Sequence, residues 1–105
     1  MAVKTLVELA ESSAKDTAKF ITEDVKELAT KHGWDDTSVA GVAVKYSNSE
    51  FSFDISPETE NSVMRLEYGT ETVAPTAVFR KYGSNTKEAE KVFIKGLEKR
   101  VGISL

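Results

Sequence analysis

The first third of the chain carries apolar residues at helical spacing. From Val7 to Leu28 they recur at intervals of three or four residues, the pattern of a narrow apolar seam along one side of an α-helix. The seam includes Ala10, Ala14 and Ala18, whose small side chains favour the close approach of another element. Gly33 suits the end of such a helix, because glycine accepts the positive φ that often follows a last turn. The pattern predicts one long N-terminal helix, whose seam packs within its own subunit or, alternatively, in a coiled coil with a partner.

The middle third changes to an alternation of apolar and polar residues. Val39–Tyr46 and Phe51–Ile55 alternate with period two, as do strands with one buried and one solvated face. Residues 47–49, Ser-Asn-Ser, have the composition of a turn. A third alternating segment covers Ser62–Tyr68, and connections this short predict an antiparallel sheet of three strands. The side chains expected to be buried together against the helices are Phe51, Phe53 and Ile55.

The last third combines an irregular segment with a second helix. Residues 69–82 match neither period, and a loop of that length in a small domain is often functional. A C-terminal helix is predicted from near Ser84 or Asn85 to Gly102, with Glu88 in a capping-box-like position three residues after Asn85. We therefore expect one α+β domain over residues 1–105. It consists of a long N-terminal helix, a three-stranded antiparallel sheet, a long loop and a C-terminal helix packed on the sheet.

The composition narrows the chemistry that the chain can perform. Its 105 residues include no cysteine, which excludes disulfides and thiolate-ligated metals. The single histidine, His32, lies near Asp35 and Asp36, where capping and turn formation explain these residues better than a metal site does. The sequence contains neither a glycine-rich phosphate loop nor a nucleophile elbow. We predict no catalytic, cofactor-binding or metal-binding residue, and no apolar run is long enough to span a membrane.

Charge is distributed unevenly, although the net charge is only −3. Residues 34–74 carry eight acids and two bases, whereas residues 75–105 carry seven bases and three acids. Four of these bases form an i,i+4 ladder on the predicted C-terminal helix: Lys87, Lys91, Lys95 and Lys99. The ladder is a candidate electrostatic contact with an acidic surface, and solvation alone is the alternative. The acidic balance argues against a dedicated nucleic-acid binder.

Two short segments carry a resemblance to a known family. Residues 66–70 read Leu-Glu-Tyr-Gly-Thr, and residues 75–80 read Pro-Thr-Ala-Val-Phe-Arg. Together they resemble the signature of tailed-bacteriophage tail-completion, or head–tail joining, proteins, in which Gly-Thr precedes a proline-bearing loop that leads to Phe and a basic residue. The order of the predicted elements is also similar. Ser38 and Val78 depart from the family pattern, which usually has glycine and proline at these places.

The resemblance implies a virion structural protein and not an enzyme. It implies a ring, typically of six copies, at the phage neck or tail top, with assembly in the bacterial host cytoplasm. The ring would contact other neck, connector or tail proteins, and genome DNA would pass through it without sequence-specific binding; neither cofactor nor membrane is involved. Taken with the irregular loop, the resemblance assigns the subunit interface to Tyr68, Gly69, Thr70, Val73, Pro75, Val78, Phe79 and Arg80.

Three questions stay open at the level of sequence. A tail terminator or another connector would show much the same pattern as a tail-completion protein. Val78 and Phe79 either dock on a neighbouring subunit or cover the sheet of their own. From a different functional class, a small acidic bacterial protein-binding module, inhibitor-like or antitoxin-like, is the alternative to a phage subunit.

Overall fold

The predicted N-terminal helix is present and supports most of the other elements. The computed structural model describes residues 5–102, so the first four and the last three residues of the predicted domain lie outside the described part. Helix α1 covers Leu6–Lys31, and the Thr5 hydroxyl caps its start by accepting from the Glu8 N–H at 3.2 Å. The helix ends at His32, and Gly33 follows with a φ of +84°, as predicted. Along its length α1 contacts two short helices, one strand and the C-terminal helix.

The remaining elements are shorter than α1. In chain order they are α2 (Asp36–Ala40), β1 (Val42–Ser47), β2 (Glu50–Ile55), α3 (Glu60–Tyr68), α4 (Val78–Gly83) and α5 (Lys87–Val101).

Strands β1 and β2 form the predicted hairpin. They pair antiparallel, from Val42 opposite Ile55 to Ser47 opposite Glu50. The two turn residues, Asn48 and Ser49, both have positive φ, 52° and 65°, as the tight hairpin turns that match the twist of the strands require. Strand β1 of the hairpin lies along α1. The Thr22 hydroxyl of α1 accepts a hydrogen bond from the Val44 N–H at 2.8 Å. Within residues 5–102 the sheet has these two strands alone.

The predicted third strand is wrong, because residues 60–68 form helix α3. Val63 and Glu67 are buried four residues apart, which is the spacing of a helix face and not of a strand. Alternation over so few residues does not separate the two structures, and the glutamates, methionine, arginine and leucine of this segment favour helix intrinsically. Gly69, with a φ of +79°, ends the helix.

The irregular segment is also more ordered than predicted. Its second half forms helix α4, which starts after Ala77 in the left-handed region at a φ of 50°. Val78 and Tyr82, four residues apart, form the buried face of this short helix. The segment is therefore a loop over residues 69–77 and a helix thereafter.

The position of the C-terminal helix differs from the prediction as well. Helix α5 packs along α1 and not on the sheet. The small residues of the α1 seam allow this close approach: the Ser13 hydroxyl donates to the carbonyl of Phe93 at 2.8 Å, and Gly96 passes directly over Ser13. Arg100 then pairs with Asp16 and donates to Ser12 at 3.0 Å. The helix ends at Gly102 as predicted, but it begins at Lys87, and Thr86, not Asn85, precedes it.

The core lies where α1, β1, α3 and α4 meet. Val25, Val63 and Val78 are its most deeply buried large side chains. Trp34 is buried beside them and donates through Nε1 to the Thr76 hydroxyl at 2.8 Å, which donates in turn to the Leu66 carbonyl at 2.6 Å. The indole thus joins the end of α1 to the segment between α3 and α4.

Gly41 provides a stability test of the junction between α2 and β1. A Cβ at this position would lie 2.0 Å from the Thr59 hydroxyl oxygen and 2.9 Å from its Cβ, and Thr59 is buried. We expect Gly41→Ala to lower the free energy of unfolding by about 1–3 kcal/mol through overpacking, measured by urea denaturation. Gly83→Ala is the matched control, because its added Cβ has no atom within 4 Å beyond its chain neighbours and the backbone of its own helix. An unchanged midpoint for Gly41→Ala would show that α2 and Thr59 separate more readily than the structure indicates.

Candidate functional site

An open apolar cleft separates the hairpin from α5. It has a volume of about 740 Å³, its floor is α1, and its walls are β2 on one side and α5 on the other. Its lining is mainly apolar, and Glu90 is the charged residue in it. The principal apolar side chains of the cleft are those of Ala10, Ala14, Ile21, Val44, Phe51, Phe53, Phe93 and Ile94.

The aromatic face of β2 belongs to this cleft and not to the interior. The predicted burial of Phe51 and Phe53 is wrong, since 43% and 39% of their surfaces are exposed; Ile55 is half-buried. The strand pattern correctly assigned the three to one face. The β2 part of that face is left uncovered, because α5 packs along α1. In the described chain, no third strand lies beside β2. Ile94 of α5, 44% exposed, faces the same space.

An aromatic cluster closes one end of the cleft. The rings of Phe53 and Phe79 stack with centroids 4.2 Å apart, and Trp34 meets Phe79 edge-on at 5.7 Å. Tyr82 lines the same end. Burial raises the pKa of Tyr82 to about 12, and the neighbouring Asp24 carboxylate adds to this effect. The closed end of the cleft is therefore aromatic.

The outer edge of β2 has no backbone partner among residues 5–102. The Val44 N–H points to Thr22, away from β2, so Val44 and Phe53 face each other as a pair without mutual hydrogen bonds. By the alternation of the ladder, the N–H and C=O groups of Phe51, Phe53 and Ile55 point outward. None of these groups takes part in a backbone hydrogen bond outside the hairpin in the described chain. One wall of the cleft is thus an open strand edge.

The segments that carry the family resemblance form the connection between α3 and α4. The buried carboxylate of Glu67 accepts from the N–H groups of Phe79 at 2.9 Å and Arg80 at 3.4 Å, and so caps the start of α4. The Glu67 carbonyl accepts from the Ala77 N–H at 3.0 Å. One residue of α3 therefore fixes both the approach to α4 and its first turn.

Gly69 and Thr70 shape the turn that follows α3. A Cβ on Gly69 would lie 2.7 Å from the Val73 carbonyl oxygen, and the positive φ also favours glycine here. The Thr70 hydroxyl accepts from the Val73 N–H at 3.1 Å, while the Thr70 N–H donates to the Val73 carbonyl at 2.8 Å. These contacts bring Val73 back beside Gly69, next to Tyr68.

The predicted interface residues separate into an inner and an outer group. Val78 is fully buried and Phe79 is enclosed by Trp34 and Phe53, so both cover their own subunit. By contrast, Tyr68 is 72% exposed and Val73 52% exposed, and Pro75 and Arg80 are exposed with them.

A second exposed apolar surface includes two of these outer residues. Met64 lies one turn before Tyr68 on the same face of α3 and is 40% exposed. We call Met64, Tyr68 and Val73 the α3 ridge.

The lysine ladder lies on the solvated side of α5. All four of its lysines are exposed, and Lys91 pairs with Glu88 at 3.4 Å. Ile94 interrupts this polar side and falls outside the apolar stripe that faces α1. In the sequence, this isolated isoleucine among the lysines was the signal for the α5 wall of the cleft. The apolar stripe of the helix alone does not identify that wall.

The residues considered for metal binding have local structural roles. The Asp35 carboxylate caps α2, accepting from the Ser38 N–H at 3.1 Å and the Ser38 hydroxyl at 2.8 Å, and the Ser38 hydroxyl holds the pKa of Asp35 below its usual value. His32 is exposed at the end of α1. Over residues 5–102, no group of three or more potential ligands is arranged to hold a metal ion. None of the helices in that range is both long and apolar enough to cross a membrane.

Comparison of the chain with protein-family models, with curated proteins and with solved structures gives no match. The site must therefore be interpreted from its own residues.

Glu67 allows a test of the connection between α3 and α4. We expect Glu67→Ala to lower the free energy of unfolding by about 1–3 kcal/mol, because two N–H groups at the start of α4 lose their acceptor. Glu67→Gln should cost less, since its amide oxygen can still accept from Phe79. Urea denaturation measures both, with the exposed loop variant Glu71→Ala as the control. Equal stability of Glu67→Ala and the unaltered chain would mean that the cap does not support α4.

Proposed function

We propose that this chain is a structural subunit that assembles with copies of itself, in the manner of a tail-completion or head–tail joining protein of a tailed bacteriophage. The observation that carries the proposal is the open apolar cleft between the hairpin and α5. Phe51, Phe53 and Ile94 are each about two-fifths exposed in it. Contiguous exposed apolar surface of this kind marks protein–protein contact sites.

The cleft has the character of a protein-docking site more than that of a reaction site. Its aromatic and aliphatic walls are the residue types that anchor protein interfaces, where a few such side chains supply most of the binding free energy. Glu90 is the charged residue of its lining. Binding by apolar contact, with the open β2 edge beside it, is what these residues support.

The charge distribution supports association between like copies. A head-to-tail ring needs two different complementary surfaces on each subunit. The acidic segment, residues 34–74, and the basic segment, residues 75–105, supply opposite signs on every copy. Attraction between them would orient successive subunits.

The resemblance supplies the biological setting of the proposal. The Gly-Thr turn and the proline-bearing loop present Tyr68, Val73 and Pro75 outward, on the part of the chain that the resemblance assigns to subunit contacts. In this proposal six copies form a ring at the neck or tail top of the virion, beside other neck or connector proteins and around the passing genome. A tail terminator or another connector would use the same surfaces.

Ile94→Ser tests whether the cleft mediates assembly. Serine and isoleucine have similar helix propensities, so stability should change by less than about 1 kcal/mol. Loss of an apolar anchor should weaken association about thirtyfold, measured by size-exclusion chromatography with light scattering over a concentration series. Lys95→Ser, at the adjacent position, is the matched control and should assemble normally at high salt, where the contribution of its charge is screened.

The same measurement distinguishes the proposal from its alternative. A ring, either of the chain alone or on isolated phage tails, supports the phage subunit. A chain that stays monomeric in both settings and binds one unrelated bacterial protein through the cleft would replace the proposal with an inhibitor-like or antitoxin-like binding module.

Salt provides an independent test of the charged surfaces. If the acidic and basic segments of neighbouring copies meet, association should weaken as the salt concentration rises, because exposed pairs are screened beyond about 10 Å at 0.1 M. Replacing the four ladder lysines by glutamine should weaken association at low salt and leave the far-ultraviolet circular dichroism unchanged. Assembly that is indifferent to salt and to these substitutions would assign the lysines to solvation.

A further inference from the structure

We infer that the α3 ridge of one copy occupies the cleft of the next, so that the subunit contact is head-to-tail. This inference rests on the proposed self-assembly and adds which two surfaces meet. The cleft is concave, and both it and the ridge expose apolar side chains that their own subunit leaves partly uncovered.

The ridge is held in place by contacts within its own subunit. Met64 and Tyr68 lie on one face of α3, and the adjacent face is anchored by the fully buried Val63 and the buried Glu67. Val73 is held next to Tyr68 by the paired contacts between Thr70 and Val73, at 2.8 and 3.1 Å. A face fixed in this way loses little conformational entropy on docking.

The cleft offers a complementary receptor. Phe51 and Phe53 on one wall and Ile94 on the other leave space above the small floor residues Ala10 and Ala14. A cleft of about 740 Å³ has room for several large side chains, and the ridge supplies a methionine, a tyrosine and a valine. The aromatic ring of Tyr68 is the natural anchor among them, since tyrosine is enriched at interface hot spots.

Two lysines beside the cleft and two acids beside the ridge have opposite charges, while Glu90 of the cleft lining and Glu98 lie one turn on either side of Ile94. Lys91 and Lys87 lie three and seven residues before Ile94 and therefore share its side of α5, whereas Lys95 and Lys99 turn away from it. On the ridge, Glu60 lies one turn before Met64, and Glu71 lies in the adjoining turn; both are exposed. Docking the ridge in the cleft brings the acids of one copy toward the lysines beside the cleft of the next.

Mixing two assembly-defective variants tests this pairing. Tyr68→Asp alters the ridge and keeps the cleft, while Ile94→Asp alters the cleft and keeps the ridge. Each variant alone should be monomeric, because every copy lacks the same half of the contact. An equimolar mixture should form a 1:1 pair that grows no further, since one intact cleft and one intact ridge remain. Light scattering gives the mass, and a size tag on one variant shows that the pair contains both.

Controls separate loss of the contact from loss of the fold. Both altered residues are exposed, and each variant should keep the circular dichroism and urea midpoint of the unaltered chain. Lys19→Asp introduces the same aspartate on the exposed face of α1 opposite the cleft and should assemble as the unaltered chain does. In the unaltered background, Lys87→Gln with Lys91→Gln should weaken association at low salt more than Lys95→Gln with Lys99→Gln.

The outcomes distinguish failure of the pairing from failure of the proposed function on which the pairing rests. If the unaltered chain assembles and Tyr68→Asp also assembles alone, the ridge is not part of the contact. If the unaltered chain assembles and the two defective variants do not complement each other, the head-to-tail pairing is wrong although self-assembly stands. If the unaltered chain remains monomeric both alone and on phage tails, the proposed function fails, and this inference fails with it.

Discussion

The close packing of α5 along α1 is the contact on which the open cleft depends. It is possible because the facing positions are small: Ser13 and Ala14 on α1, and Ala89 and Gly96 on α5. The Ser13 to Phe93 hydrogen bond and the Arg100 to Asp16 ion pair fix the two helices in register. Once α5 is held there, it cannot also cover the sheet, and the apolar face of β2 stays open. The candidate site is therefore a direct consequence of helix packing elsewhere in the subunit.

The buried Glu67 is a second determinant of the fold. It links α3 to α4, two segments that the sequence patterns treat separately. Its carboxylate satisfies N–H groups at the start of α4, so α4 begins where α3 provides an acceptor. The same connection holds Thr76 in contact with Trp34, whose ring borders Phe79 at the closed end of the cleft. Through these contacts the segment of the family resemblance is structural on its inner side and exposed on its outer side.

The sequence predicts elements whose information is local and repeated. Helix α1 follows from a seam sustained over many residues, and the hairpin follows from two alternating segments around a turn of Asn48 and Ser49. Helix α3 was mistaken for a strand because Met64, Leu66 and Tyr68 alternate with Arg65 and Glu67 over a short span, whereas the helix buries Val63 and Glu67. Helix α4 was not predicted because its cap comes from another element.

The candidate site was predictable only in its parts. The shared face of Phe51 and Phe53 is evident from the alternation, but their exposure depends on where α5 docks, and helical periodicity does not encode that choice. Val73 was correctly separated from the regular pattern, whereas Tyr68 was placed in a strand and lies in α3, and the inward position of Val78 depends on the α4 turn. Long-range packing, and not local propensity, decides which apolar residues are left uncovered.

The open edge of β2 has a consequence for the subunit before it is assembled. An unpaired strand edge can template the addition of another strand, and apolar aromatic side chains beside it make such stacking more favourable. The solvated face of the hairpin carries Glu50, Asp54 and Lys45, with Lys45 and Asp54 paired at 2.8 Å. Charges placed on an exposed strand act as gatekeepers against unproductive aggregation. The unpaired edge of β2 thus stays available for a correct neighbour. The charged side chains limit the fibrous association that the same edge would otherwise promote.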